Sequence, residues 1–393
     1  MTYTLHTGDC RDVMATLPAE SVDAIVCDPP YGLSFMGKGW DHGVPGVDFW
    51  VEALRVLKPG GHLIAFGGTR TYHRLAVAIE DAGFEVRDCL MWLYGSGFPK
   101  SLDVSKAMDK QAGAEREVLG ESEYNARRPN PPVSERYAQA GHKAFITAPN
   151  TDLAKEWHGW GTALKPAYEP AILARKPLRG TVADNVAQWG VGGLNIDGCR
   201  VGDESTLRPN SNAAGVFVGK GNEGQVNGSV SGRWPANVIL DEEAAAALDA
   251  QSGVGGASRF FYTAKASRSE REAGLHWKKW ERRAGLASAD KDGELDPVSE
   301  RWRTAPAANI HPTVKPIALM RYMIRLVVPR GAVVLDPFMG SGSTGCAAMV
   351  EGMQFIGIDI TPEYVDIARR RLAWWSCSLD NTVTMESHEE DEA

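Results

Sequence analysis

Four consecutive residues, Asp28-Pro29-Pro30-Tyr31, hold one acid, backbone carbonyls with no neighbouring proline N–H to pair with, and one aromatic ring. That set suits an exocyclic amine on a planar base or amide. A carboxylate and a backbone carbonyl can each accept one of the amine's two hydrogens, which draws the nitrogen toward a tetrahedral form and localises its lone pair for attack. An adjacent ring can stack on the planar group. The plainer alternative is a strand ending in an ordinary proline turn, since so short a motif also recurs without function.

A second stretch, Gly340–Gly345, fits G-x-G-x-x-G, and Asp359 follows 19 positions after Gly340. Such a turn lets a ligand approach the backbone closely and sets an acid within reach of ribose hydroxyls. It is also the nicotinamide-dinucleotide fingerprint, and tight strand–helix packing produces it too. A dehydrogenase leaves Asp28–Tyr31 without a task. It also requires more chain than the 34 residues (393 − 359) that follow Asp359, because the usual order places the second half of the fold after this motif. The other half is therefore expected to be the N-terminal block.

The elements that must hold these residues are legible as an alternation. Val22–Cys27 has no helical period and is rich in β-branched residues, so it reads as a buried strand. Two prolines end its ladder, and the residue before each is pushed extended. Tyr3–His6 reads as a strand and Cys10–Leu17 as a helix. A glycine-rich loop covers 32–46. Phe49–Leu57 reads as a helix stopped by Lys58-Pro59-Gly60-Gly61. His62–Phe66, Phe84–Leu93 and Glu169–Ala174 read as strands, with a helix over Tyr72–Ala82. After a broken stretch the alternation returns: helix Pro316–Val327, strand Ala332–Leu335, helix Ser343–Glu351, strand Gln354–Ile358 and helix Pro362–Trp374. This predicts an α/β fold with a mostly parallel sheet, circularly permuted so that the last strand neighbours Tyr3–His6.

Composition is that of a globular protein, with no apolar run long enough for a membrane span and no charged-then-apolar leader. Six scattered cysteines without a C-x-x-C read as reduced thiols in a cytoplasm, with no metal site. The net charge of −8 argues weakly against nucleic acid, because six acids and no Lys or Arg lie from Asp380 onward, leaving −8 + 6 = −2 for the rest.

With both motifs in place, the chain resembles the amino-group DNA methyltransferases that use S-adenosylmethionine, in the permuted β class where the catalytic motif precedes the cofactor motif. Gly8-Asp9, Asp28–Tyr31, His311-Pro312-Thr313-Val314-Lys315-Pro316, Asp336–Gly345 and Phe355-Ile356-Gly357-Ile358-Asp359 carry the resemblance by their joint order and spacing. It covers roughly the first hundred residues, the strand near Glu169–Ala174, and 309–375. The class usually has glutamate where this chain has Asp359. The resemblance implies a Rossmann-like domain with an inserted target-recognition module. It places Asp336, Phe338 and Gly340 on the methionine side of the cofactor, Asp359 on its ribose, Asp9 near its adenine, and Thr313 and Lys315 on its carboxylate side, with Gly342 also among the cofactor-binding residues. Asp28 and the Pro29 carbonyl would hold the target amine, with Pro30 completing the turn and Tyr31 stacking on the base. On the plainer reading Asp9 caps the next helix and Lys315 is a surface charge. The leading aspartate favours adenine N6 over cytosine N4, which stays open; RNA or a protein amide fits less well.

By the same resemblance, DNA recognition falls within 177–305. There Arg259–Arg283 carries eight basic residues against three acids, a net of 8 − 3 = +5, interleaved with five aromatics. Such a stretch suits phosphate contact and stacking, and Arg259, Lys265, Arg268, Arg271, Lys278 and Lys279 are the expected DNA contacts; a solvated helix packing two tryptophans is the alternative. The expected organisation is 1–99 catalytic, 100–156 a polar and partly disordered insertion, 157–176 a return strand, 177–305 a separate recognition module, 306–378 cofactor-binding and 379–393 a disordered acidic tail. Duplex DNA is the expected partner. The resemblance also admits a homodimer and a restriction endonuclease partner, neither of which the residues themselves argue for.

Overall fold

Val22–Cys27 is buried at every position, which is why it shows no alternation: it is a central strand covered on both faces. A computed structural model describes residues 2–33, 43–97, 101–121, 145–206, 230–264, 268–275, 309–311 and 313–386. The chain divides into two compact units, one of 1–95 with 168–393 and the other of 96–167.

The larger unit starts with β1 (Tyr3–Thr7), α1 (Cys10–Thr16), β2 (Val22–Cys27), α2 (Val47–Val56), β3 (Leu57–Phe66), α3 (Tyr72–Asp81) and β4 (Glu85–Leu93). The smaller unit holds α4 (Val104–Gln111), β5 (Glu117–Glu121), β6 (Phe145–Ala148) and α5 (Asp152–Glu156). The larger then resumes with β7 (Tyr168–Arg175), α6 (Val182–Trp189), β8 (Val201–Thr206), β9 (Val230–Arg233), β10 (Val238–Asp241), α7 (Glu242–Ser252), β11 (Tyr262–Ala264) and α8 (Arg268–Glu272). It closes with α9 (Ile317–Val327), β12 (Val333–Asp336), α10 (Ser343–Val350), β13 (Gln354–Asp359) and α11 (Pro362–Glu386).

Nine strands form one sheet in the order β1-β13-β12-β2-β3-β7-β4-β10-β11. Only β7 runs antiparallel to its neighbours; the other pairings are parallel. The first strand lies against the last, Tyr3 opposite Phe355 and Thr7 opposite Asp359, so the sheet is permuted as expected. Ala24, Val26, Ile64 and Phe66 point to a face covered by α9, α10 and α11. Ile25, Cys27, Leu63 and Ala65 point to the other, covered by α1, α2 and α3. Cys27, Asp336 and Asp359 thus end three adjacent parallel strands, and their carboxyl ends open on one edge of the sheet, where ligands of open α/β folds sit.

Three expectations need correction. The stretch 177–305, expected as a separate module, supplies β10 and β11 to the sheet, β10 pairing with β4 and β11 with β10; their few buried residues (Ile239, Leu240, Ala264) were too short a signal to read as strands. The polar insertion has regular structure where it is described, α4, β5, β6 and α5, while 122–144 lie outside the described residues. Asp109, fully buried, accepts from Asn150 N at 3.1 Å, Thr151 N at 3.0 Å, Thr151 Oγ1 at 2.8 Å and Arg116 Nη1 at 2.6 Å, so a polar hub replaces an apolar core. The last helix runs to Glu386, past its expected end at Trp374 and into the expected tail, because no glycine or proline follows Pro362 before that point to stop it.

His62, on β3, is buried with Nδ1 lacking a hydrogen-bond partner. Burial first, then Arg175 and Arg87, push its pKa down to about 4. Below pH 6.5 the unfolded chain takes up a proton that the folded chain refuses until about pH 4, so this group's contribution is present above 6.5 and lost as pH falls. We expect wild type to lose about 2 kcal/mol more stability than His62→Leu between pH 7 and pH 5. Urea unfolding of both proteins at the two pH values measures it, and groups common to both cancel.

Candidate active site

β2 delivers Asp28 to the carboxyl edge of the sheet. β7, because it runs the other way, brings its second residue, Glu169, to the same edge: Glu169 is level with Trp92 of β4, two residues beyond Leu90, which pairs with Ala171. The Asp28 carboxylate is bonded through both oxygens. Oδ1 accepts from the Tyr31 hydroxyl at 2.8 Å and Oδ2 from Lys315 Nζ at 2.6 Å. Glu169 Oε2 lies 3.0 Å from the Tyr31 hydroxyl and 3.1 Å from Lys315 Nζ. Lys315 Nζ also donates to the Tyr31 hydroxyl at 3.1 Å and stands 4.9 Å from the Phe66 ring centre. Two carboxylates thus share one ammonium and one phenol.

The charges respond to this placement. Burial opposes the Lys315 charge, but Asp28 and Glu169 outweigh it and hold the ammonium well above the usual lysine range. Burial, then Asp28 and Glu169, push the Tyr31 phenol up, so it stays protonated and donates. Thr71 Oγ1 fixes the Tyr31 backbone by donating to its carbonyl at 2.7 Å. Pro29 is buried and Pro30 half-buried. Lys315, expected among the cofactor contacts, is a buried partner of Asp28, so the surface-charge alternative does not hold. Glu169 and Phe66 were not singled out from the sequence at all.

The glycine-rich turn forms the other half of the edge. Gly340 has φ +50 and donates its N–H to Asp359 Oδ2 at 2.9 Å; Thr361 N donates to Asp359 Oδ1 at 2.8 Å. Burial raises the Asp359 carboxyl while these two N–H groups oppose the shift. Gly342 has φ +80 and opens α10, and a Cβ there would meet Ala368 at 2.9 Å. Asp336 is buried, accepts from Phe338 N at 3.0 Å, and is pushed up to about 7, chiefly by burial against the Thr344 hydroxyl bond, with Asp28 and Asp359 adding to it. Phe338 packs 6.0 Å from both Phe49 and Trp50. The fully buried Arg371 bonds the turn from below, donating to Ser341 O at 2.6 Å and Ser341 Oγ at 3.1 Å.

Asp9 caps α1 by accepting from Arg11 N at 2.9 Å and pairs with the Arg11 guanidinium, whose bonds hold its carboxyl below the usual range despite the burial that opposes them. The capping alternative is therefore what its geometry shows. Thr313 is exposed, and its carbonyl faces His311 Nδ1 at 2.5 Å.

The expected DNA contacts separate. Lys265, Lys278 and Lys279 lie outside the described residues, and of Arg268 only its place in α8 is described. Arg271 points inward. Its Nη2 donates to His311 O at 2.9 Å, and its own carbonyl accepts from Asn309 Nδ2 at 3.1 Å, so it clamps the segment leading to Lys315. Arg259 is exposed, in a short 3-10 turn (Ala257–Phe260) just before β11, beside aromatic and basic residues that were not among the expected contacts. Its guanidinium lies 4.8 Å from the Phe260 ring centre and that of Arg233 5.0 Å from it, while Arg200 stands 5.6 Å from Trp234. Among the described residues no helix is long and apolar enough to cross a membrane.

Comparison with known proteins finds similarity over part of the chain. Residues 234–370 match the family described as DNA methylase, of the N6/N4 amino-group type. That match contains Lys315, the glycine-rich turn and Asp359, and stops short of Asp28. An 80-residue stretch is 45% identical to the type II methyltransferase M2.DpnII of Streptococcus pneumoniae, covering 20% of this chain and 28% of that one. A 62-residue stretch is 48% identical to the DNA adenine methyltransferase YhdJ of Escherichia coli, covering 16% and 21%. The chain thus spans under a third of the length of these relatives. Among solved structures, the M1.HpyAVI complex with SAM aligns with a TM-score of 0.41 at 17% identity, covering 94% of this chain and all of that one. The cytosine-N4-specific PvuII DNA methyltransferase aligns with a TM-score of 0.43 at 13% identity, covering 94% and 86%.

Proposed function

We propose, from the premise that this chain belongs over residues 234–370 to the amino-group DNA methylase family, that it methylates the N6 amine of adenine in duplex DNA. The observation that carries this reading is Asp28. Its carboxylate stands at the carboxyl end of β2, next to β12, the strand that leads into the glycine-rich turn, with hydrogen-bond donors already gathered on both oxygens. A site that binds two donors on one carboxylate can take an amine hydrogen in place of one of them.

The residues of the turn fit S-adenosylmethionine. Gly340 leaves no room for a side chain, Asp336 is a buried acid, and Asp359 ends the next strand with lone pairs beyond the two N–H groups it already serves. Asp336, Phe338, Gly340, Gly342 and Asp359 would hold the cofactor, with Asp9 and Thr313 at its margins. Bound there, it supplies an electrophilic methyl group, so the chain needs no nucleophile of its own.

The chain's task is to hold the acceptor. A base inside a duplex is out of reach and must be flipped into the site. Asp28 takes one amine hydrogen and the Pro29 carbonyl the other, and the Tyr31 ring covers the base. The acid then receives the proton that the nitrogen sheds after methylation. Most of the acceleration comes from positioning and fixed charge. Arg259, with Arg200, Arg233, Trp234 and Phe260 beside it, offers guanidinium groups for phosphates and rings for stacking. The reading requires neither a second copy nor an endonuclease, and it suits a cytoplasmic enzyme.

Nucleoside mass spectrometry of mixed-sequence duplex DNA, incubated with the protein and S-adenosylmethionine, tests it. N6-methyladenine is the expected product. N4-methylcytosine keeps the mechanism and changes the base; no methylated nucleoside, from protein that is folded and binds the cofactor, rejects the proposal.

A further inference from the structure

We propose that Glu169 is a positioning residue for methyl transfer: it takes over Lys315 and Tyr31 when Asp28 turns to the target amine. The inference rests on the reading of Asp28 as the amine's acceptor. Both Asp28 oxygens are engaged, by an ammonium at 2.6 Å and a phenol at 2.8 Å, and turning a lone pair to the target amine loosens one of these bonds. Moving a buried ammonium off its carboxylate is strongly unfavourable unless another anion receives it. Glu169 is that anion. Its Oε2 already stands 3.1 Å from Lys315 Nζ and 3.0 Å from the Tyr31 hydroxyl.

The exchange needs little motion. A tyrosine hydroxyl has one proton, so Tyr31 can donate to Asp28 or to Glu169 but not to both at once. Turning the C–O–H bond moves the donation from one carboxylate to the other. Lys315 carries three N–H donors on a flexible stem and can shorten its contact to Glu169 as it lengthens the one to Asp28. The charge of the cluster stays the same throughout. Glu169 itself never touches the base; it acts through the two side chains it retains. Its place follows from the topology, because β7 is the one reversed strand and its first residues alone can meet the carboxyl edge of β2 and β3.

The proposal makes the negative charge of Glu169 the working feature, not its shape, and this separates it from a packing role. Glu169→Gln keeps the size and loses the charge; Glu169→Asp keeps the charge on a shorter arm that the lysine can follow. We expect kcat to fall roughly 10- to 100-fold in Glu169→Gln, the scale of a lost charge-assisted hydrogen bond. The loss in Glu169→Asp should be several-fold smaller. KM for DNA and for S-adenosylmethionine should stay within about threefold, since phosphate contacts and the glycine-rich turn are untouched. Cofactor affinity and thermal midpoint serve as folding controls for both variants. A Glu169→Gln enzyme as fast as wild type, or one at least as fast as Glu169→Asp, overturns the proposal. Wild-type protein that binds the cofactor yet makes no methylated nucleoside overturns the functional reading instead, so the two failures are told apart.

Discussion

Asp28→Ala abolishes DNA methylation, lowering kcat by roughly 10²–10⁴-fold, the range in which a positioned acid or base acts, while S-adenosylmethionine binds as tightly as before. The variant should fold, and the reason lies in the cluster. Both groups that Asp28 holds, the Lys315 ammonium and the Tyr31 hydroxyl, also lie within 3.1 Å of Glu169 Oε2. Removing Asp28 therefore leaves no buried charge unpaired, the circumstance that makes loss of one ion-pair partner so destabilising elsewhere. The cofactor turn is braced by Asp359 and Arg371, neither of which bonds Asp28. Isothermal titration with S-adenosylmethionine and single-turnover methylation measure the two halves of the expectation. Normal methylation by the variant would remove Asp28 from the chemistry.

The sequence showed this site in proportion to how local its signals were. Asp28–Tyr31 and Gly340–Gly345 are contiguous runs whose backbone consequences follow from proline and glycine, and the sheet places both where the alternation of strands and helices required. The permuted pairing of β1 with β13, expected from the sequence, is present in the sheet. Glu169 was not legible. It meets Tyr31 across 138 residues and belongs to no motif, and its place depends on β7 running backwards, which strand propensity does not encode. Lys315 reaches Asp28 across 287 residues, so the plainer reading of this charge as surface fails: it is buried. Arg271 and Arg371 show the same limit from the basic side. Counting charge put the first among the expected DNA contacts without revealing that it bonds the His311 carbonyl, and the second bonds the turn from inside the core. Charge counts cannot tell an arginine that faces solvent from one that satisfies backbone carbonyls.

The second large effect is expected at Gly340. Gly340→Ala should lower S-adenosylmethionine affinity by more than tenfold and destabilise the protein by about 2 kcal/mol, combining left-handed backbone strain with a steric clash. At φ +50 any side chain is strained, and there is no space to relieve it. A Cβ would stand 2.6 Å from His311 Nε2, 3.0 Å from Cε1 and 3.2 Å from Cδ2, so it meets the whole ring and not one movable tip. His311 is poorly placed to yield. Its backbone N–H donates to Asn309 Oδ1 at 3.1 Å, its carbonyl accepts from Arg271, and its ring lies edge-on to Tyr364 at 4.6 Å. Two responses remain, and both disturb the site. If the turn opens, Gly340 N leaves Asp359 and the acid loses one of the two bonds that aim it. If His311 shifts, it carries with it the segment that ends at Lys315, two residues beyond Thr313. The two are separable by experiment. Asp359→Asn removes both a brace of the turn and a residue that would hold the cofactor, so it should lower affinity without touching His311, and kcat at saturating cofactor is what separates the two responses. If displacement of Lys315 dominates, Gly340→Ala should also lower kcat at saturating cofactor while Asp359→Asn does not. Cofactor titration and saturating-cofactor kinetics on both variants decide between them. An alanine variant that binds S-adenosylmethionine like wild type would mean that the ligand does not approach this turn.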